Sequence, residues 1–212
     1  MKKLKKTIIL FLLSILVSSC WFKEEVYYYE LTKAENQLIP YKLGEVISFI
    51  NSEGKIFEAT VVKDHSYWKE EQYDTGSMID DYVHYNNRNV TLQSETENIS
   101  INLGIYAMDR YLAIWTNYHH NIGFNFSYDK NMNLCNCYYY YYCSCKFYNE
   151  LEINNKIYYN VAEKNNNYTV HTEDGSEKKL NQFLFYNKSH GILQILENDT
   201  VIITIDKYSN SK

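Results

Sequence analysis

Hydrophobic and polar residues alternate with a period of two through most of this chain. Ile99, Ile101, Leu103 and Ile105 share one face of an extended segment while Ser100, Asn102 and Gly104 share the other, which predicts a strand with one side buried. Phe124, Phe126 and Tyr128 repeat the pattern. Gly44 to Ile50 and Lys55 to Lys63 are apolar-rich runs separated by Asn51-Ser52-Glu53-Gly54, so a hairpin is predicted with Gly54 at positive φ. Asn154-Asn155 and Asn198-Asp199 divide later pairs of runs, and asparagine tolerates the left-handed backbone that a tight turn needs. Tyr82 to Ser94 predicts another strand. Residues 69 to 81 are acidic and aperiodic and predict an exposed loop. Between 106 and 121 the pattern is ambiguous, with Leu112, Ile114 and Trp115 expected in the core.

A single helix interrupts the alternation. Thr32-Lys33-Ala34-Glu35 has the spacing of a capping box, in which the threonine hydroxyl and the glutamate carboxylate each accept from the other's backbone amide. Pro40, the only proline, ends the helix by Leu38 or Ile39. About ten strands joined by short turns, with no long helical periodicity, predict an all-β fold. The expected architecture is an antiparallel β-sandwich or partly closed barrel with one short N-terminal helix, preceded by a cleavable signal helix.

The N-terminus changes the picture from fold to location. Four lysines precede an apolar run from Thr7 to Val17, followed by two serines and Cys20, the layout of a secretory signal. A membrane-spanning helix needs about 20 apolar residues, and this run is shorter. Val17-Ser18-Ser19-Cys20 resembles the lipobox of bacterial lipoproteins, and that resemblance implies cleavage before Cys20 and a lipid on its thiol. Acyl chains contribute roughly 0.8 kcal/mol per buried methylene, so two or three hold a protein on a membrane almost permanently. Lys23-Glu24-Glu25 directly after the cysteine resembles the export signal that takes lipoproteins of the Bacteroidetes to the cell surface. The expected organisation is a signal peptide over 1–19, a tether over 20–30 and one β-rich domain over 31–212.

Removing Lys2, Lys3, Lys5 and Lys6 with the acid-free signal takes the formal charge from -5 to -9. An acidic surface repels phosphate backbones, so nucleic acid is not an expected partner. The 23 tyrosines accompany abundant asparagine, lysine and isoleucine, which weakens any argument from aromatic content alone. The helix, Ile39-Pro40-Tyr41 and the glycine-marked hairpin resemble the start of a class of uncharacterised Bacteroidetes lipoproteins. Ile157-Tyr158-Tyr159-Asn160-Val161 and the segment from Phe185 to Ile195 resemble that class's closing hairpins. The resemblance implies location and fold and supplies no activity.

Candidate chemistry is sparse. The six histidines fall into no known catalytic spacing, and the HExxH and GxSxG motifs are missing. Asp80, Asp81 and His84 would converge only on a helical turn, and an acidic loop beside a histidine is the simpler reading. His119 and His120 would point to opposite sides of a strand. No catalytic residue, metal site or cofactor is predicted. Trp21, Trp68 and Trp115, with the Tyr27-Tyr28-Tyr29 run, are candidates to stack on a sugar or a protein partner, and Trp68 leads because it borders the acidic segment.

Cys135-Asn136-Cys137 and Cys143-Ser144-Cys145 flank five tyrosines. In one straight strand the outer cysteines would stand about 33 Å apart at ~3.3 Å per residue. If the tyrosines bend back, Cys135 lies opposite Cys145 and Cys137 opposite Cys143, at the spacing of cross-strand disulfides. Four thiolates there could also hold zinc, although an exported thiol tends to oxidise, and the tyrosines lack turn residues. Three readings stay open: local disulfides, a metal clip, or a segment with no dedicated role. The sequence therefore predicts a lipid-anchored protein of the outer membrane, exposed at the cell surface, that binds an unidentified ligand, glycan or protein. The alternative is an envelope glycan-processing hydrolase, which would need two carboxylates facing one cleft.

Overall fold

The computed structural model describes residues 26–73, 81–117, 122–135, 145–171 and 175–208. Twelve strands and one helical turn follow in chain order. They are β1 (Val26–Tyr29), α1 (Lys33–Asn36), β2 (Val46–Asn51), β3 (Ile56–Tyr73), β4 (Asp81–Ser94), β5 (Ile99–Tyr106) and β6 (Tyr111–Thr116). β7 (Ile122–Ser127), β8 (Cys145–Ile153), β9 (Lys156–His171), β10 (Glu177–Asn187), β11 (Gly191–Glu197) and β12 (Thr200–Tyr208) complete them. The fold is all-β, one sheet in the order β7-β6-β5-β4-β3-β2-β12-β11-β10-β9-β8, with β1 attached separately to β4. Neighbours along that order are joined mainly by tight hairpins, and the sheet does not close into a barrel.

The turns form where the backbone chemistry allows them. Gly54 has φ +79°, and Asn154, Asn155, Asn198 and Asp199 all take the left-handed conformation expected of their hairpins. The capping box is present, with Thr32 Oγ1 accepting from the Glu35 amide at 3.1 Å and Glu35 Oε2 accepting from the Thr32 amide at 2.7 Å. The helix is shorter than the pattern predicts, ending at Asn36 before turns lead to Pro40.

The chain divides into two compact units. Of the described residues, the smaller holds 26–29, 68–73 and 81–85, and the larger holds the rest. Val26 to Tyr29, assigned to the tether by sequence, form a strand parallel to β4, pairing Tyr28 with His84. The predicted loop over 69–81 is narrower, because β3 continues to Tyr73 and β4 begins at Asp81. Glycine and proline are absent from 55–75, so nothing local breaks the strand.

In the larger unit, alternate side chains of the strands meet in one core that includes Phe49, Leu103, Phe126, Tyr186 and Ile205. The Phe126 and Tyr186 rings lie 6.0 Å apart, so β7, at one end of the strand order, packs over β10 near the other. Asn166 Nδ2 on β9 donates to the Gly123 carbonyl on β7 at 3.0 Å. The sheet of this unit thus curls until its ends approach, as a partly closed barrel does, without a continuous ladder between them.

The outer side of β6 departs from expectation. Trp115 is 39% exposed rather than buried. Its indole covers Gly123 across the β6–β7 pair, where an added Cβ would stand 2.6 Å from its ring nitrogen. Tyr106 and Tyr111 stack beside it at 4.6 Å.

Candidate functional site

The smaller unit carries an exposed aromatic face. All four residues of β1 are exposed, and a four-residue strand with Val-Tyr-Tyr-Tyr has little core of its own. Its parallel register sets Tyr28 beside His84, and the two rings stack at 4.9 Å and 13°. Trp68 meets Tyr28 edge-on, at 6.4 Å and 73°. Tyr28 is 69% exposed and Trp68 50%, so the tyrosine face away from His84 and much of the indole are open to solvent. Two aromatic planes nearly at right angles form the walls of this site.

Strand alternation sets its polar groups. Trp68 and Glu70 project to one side of β3, Lys69 and Glu71 to the other. His84 Nε2 lies 3.5 Å from Glu70 Oε2, which brings a carboxylate and an imidazole to the aromatic side. On the opposite side, Tyr85 Oη donates to Glu71 Oε1 at 2.6 Å, and Lys69 pairs with the same carboxylate. The hydrogen bond from Lys69, then that from Tyr85, holds the Glu71 carboxyl below its usual range. Burial first, and then the bond to Glu71, pushes the Tyr85 hydroxyl up. The Lys69 ammonium is raised by its hydrogen bond to Glu71. This chain fixes the strand pair from behind, and the aromatic side keeps Glu70 and His84 as its hydrogen-bonding groups.

Trp68 therefore lies where a ligand can reach it, joined by Tyr28, His84 and Glu70. His84 is partnered by Glu70; Asp80 and the Asp81 side chain lie outside the described residues. Glu70 and Glu71 diverge to opposite sides and cannot act as the carboxylate pair of a glycosidase. Cys20, His119, His120, Cys137 and Cys143 also lie outside the described residues. Cys135 and Cys145 are joined by a disulfide, with Cα atoms 5.3 Å apart. Among the described residues, no group of three or more His, Cys, Asp or Glu side chains is placed to hold a metal ion. No helix among them is long and apolar enough to cross a membrane. The Tyr27-Tyr28-Tyr29 run was visible in the sequence, but its pairing with β4 was not, because a parallel contact leaves no local turn signal.

No known protein family matches the chain, and neither a characterised protein nor a solved structure resembles it at a significant level.

Proposed function

We propose that this protein is a lipid-anchored binding module of the bacterial outer envelope, held through Cys20 and displayed at the cell surface. Its ligand site is the aromatic face of Tyr28, Trp68 and His84, and its ligand class is glycan. The observation that carries this reading is the exposed pair of aromatic planes, Tyr28 and Trp68, at 73°. A sugar presents apolar C–H faces to such rings, while Glu70 and His84 beside them match its hydroxyls. Burying an aromatic contact of this kind contributes about 1 kcal/mol or more. The lipobox resemblance supports the anchor, and the adjacent Lys23-Glu24-Glu25 supports surface display.

The test is binding of the full-length lipoprotein, in detergent, to an array of uncharged bacterial and host-type glycans. Trp68→Ala and Tyr28→Ala should each weaken capture roughly tenfold, a change of about 1.4 kcal/mol. Trp115→Ala, on the larger unit, should leave it unchanged. Wild-type affinity in the Trp68→Ala protein would remove the site from consideration.

A further inference from the structure

We propose that the larger unit holds a second, independent binding site, for a sugar-sized ligand bearing an anionic group. A cleft of about 640 Å³ opens between α1, the segment that follows it, and residues from three distant parts of the chain, Arg88, Asn131-Met132 and Lys188. Its volume falls in the range of small-molecule sites, about 300 to 1,000 Å³. Lys33, Lys42 and Lys188 line it, and no aspartate or glutamate does. In a chain of formal charge -5, that concentration of cations departs from the average surface.

The lysines are exposed, and the ion pairs among the described residues use other cations: Lys55, Lys69, His84 and Arg88. The nearby carboxylates have partners of their own, including Asp129, whose Oδ1 accepts from the amides of Asn131 and Asn133 at the rim. Glu35 binds the Thr32 amide and the Tyr128 hydroxyl, Glu45 binds the Lys42 amide, and Asp64 is paired with Arg88. None of these acids lines the cleft itself.

The cleft is also built to hold its shape. Arg88 spends its donors on the Asp64 carboxylate and on the carbonyls of Asn36, Ile39 and Tyr41, which ties the whole wall from α1 to Tyr41 to the sheet. Tyr186 Oη donates to the Leu38 carbonyl from the core side. Arg88 is therefore a positioning residue, and the lysines are the ligand-facing charges. Pro40 and Met132 add apolar surface, while Gln37 and Asn131 add amides. A bare inorganic ion would use the lysines alone. A sugar carrying a carboxylate, sulfate or phosphate would use all three kinds of group.

The experiment titrates the full-length lipoprotein in detergent, by calorimetry, with galacturonate, galactose 6-sulfate and galactose 6-phosphate, which distinguish the three sources of the charge. Neutral galactose and inorganic phosphate serve as comparison probes. At least one acidic sugar should bind roughly tenfold more tightly than either comparison probe, and added salt should weaken it. A Lys33→Gln/Lys42→Gln/Lys188→Gln variant, with its melting temperature checked against wild type, should lose about tenfold in affinity. Lys188→Gln alone, on an exposed turn, should lose part of it and covers the event that the triple variant misfolds. Trp68→Ala should bind the acidic sugar as wild type does, which separates this site from the aromatic face. No binding of any acidic sugar, equal binding of neutral galactose or inorganic phosphate, or unchanged affinity in the lysine variants would each overturn the proposal.

Discussion

Arg88 sits in β4 opposite Ile105 of β5, on the side of the strand that feeds the core, where alternation alone would call for an apolar residue. The structure accepts the charge because every part of the guanidinium is used. Nε and Nη2 donate to the two Asp64 oxygens at 2.9 Å each, while Nη1 reaches Asn36 O at 2.6 Å and Ile39 O at 3.1 Å and Nη2 also reaches Tyr41 O at 2.9 Å. A lysine has the charge but not the planar fork, and can satisfy only part of this set. Removing one partner of a buried pair typically costs about 3 to 5 kcal/mol, and the 12% and 21% exposure of these two side chains argues for the lower end. Arg88→Met should therefore destabilise the protein by about 3 kcal/mol in urea unfolding, with Arg88→Lys recovering less than half. A loss below ~1 kcal/mol for Arg88→Met would mean the pair is largely solvated. The capping box was readable because both of its partners lie within one turn. The roles of Arg88 and Trp115 depend on residues far away in sequence, and nothing near either position announces them.

At the scale of elements, hairpins were legible at Gly54, Asn154-Asn155 and Asn198-Asp199, where turn-forming residues take positive φ, but not at Arg110, which takes φ 50° between β5 and β6 without belonging to a turn-forming type. Contacts between elements distant in sequence were not, and two of them shape this protein. β1 adds its strand in parallel, which makes the aromatic face. β7 and β8, at opposite ends of the sheet order, are brought together by the Cys135–Cys145 disulfide, since Cys135 follows the short Tyr128–Leu134 hairpin bridge and Cys145 opens β8. The cysteine spacing in the sequence made this pairing one of three open readings. The bond spans a sequence separation of 10 residues, so its effect on the unfolded chain is modest. In the chain-entropy treatment a loop of that size contributes about 2 to 3 kcal/mol. Both edge strands also keep partners of their own, β7 on β6 and β8 on β9. Cys135→Ser/Cys145→Ser should consequently lower the melting temperature by roughly 5 to 10 °C while leaving one cooperative loss of sheet. Separate melting of the β8–β9 edge, followed by its circular dichroism or proteolysis, would show instead that the bond is required to hold the curled sheet together.

For the whole molecule, sheet order joins β2, near the start of the larger unit, to β12 at its end, with Ile203 opposite Asn51. That closing pair makes the larger unit depend on its full length, so a cut inside it should release no stable fragment. Residues 21–25 separate Cys20 from Val26, and six steps of at most about 3.6 Å span no more than roughly 22 Å. An anchored Cys20 therefore keeps β1 and its aromatic face close to the bilayer, on whichever side of the membrane the protein faces. Lys23-Glu24-Glu25 lies directly behind the proposed anchor, and its resemblance to a surface-export signal supports the proposed display on the exterior. Replacing all three by alanine leaves Cys20 and every described residue untouched, so it tests the address without testing the fold. In intact cells treated with protease, the wild-type domain should be shaved from the surface while the triple-alanine variant remains protected. Both should be degraded once the outer membrane is permeabilised, and both should carry the same acylated N-terminus by mass spectrometry. Equal protection of the two proteins in intact cells would place the binding face on the inner side and remove an external ligand from its reach.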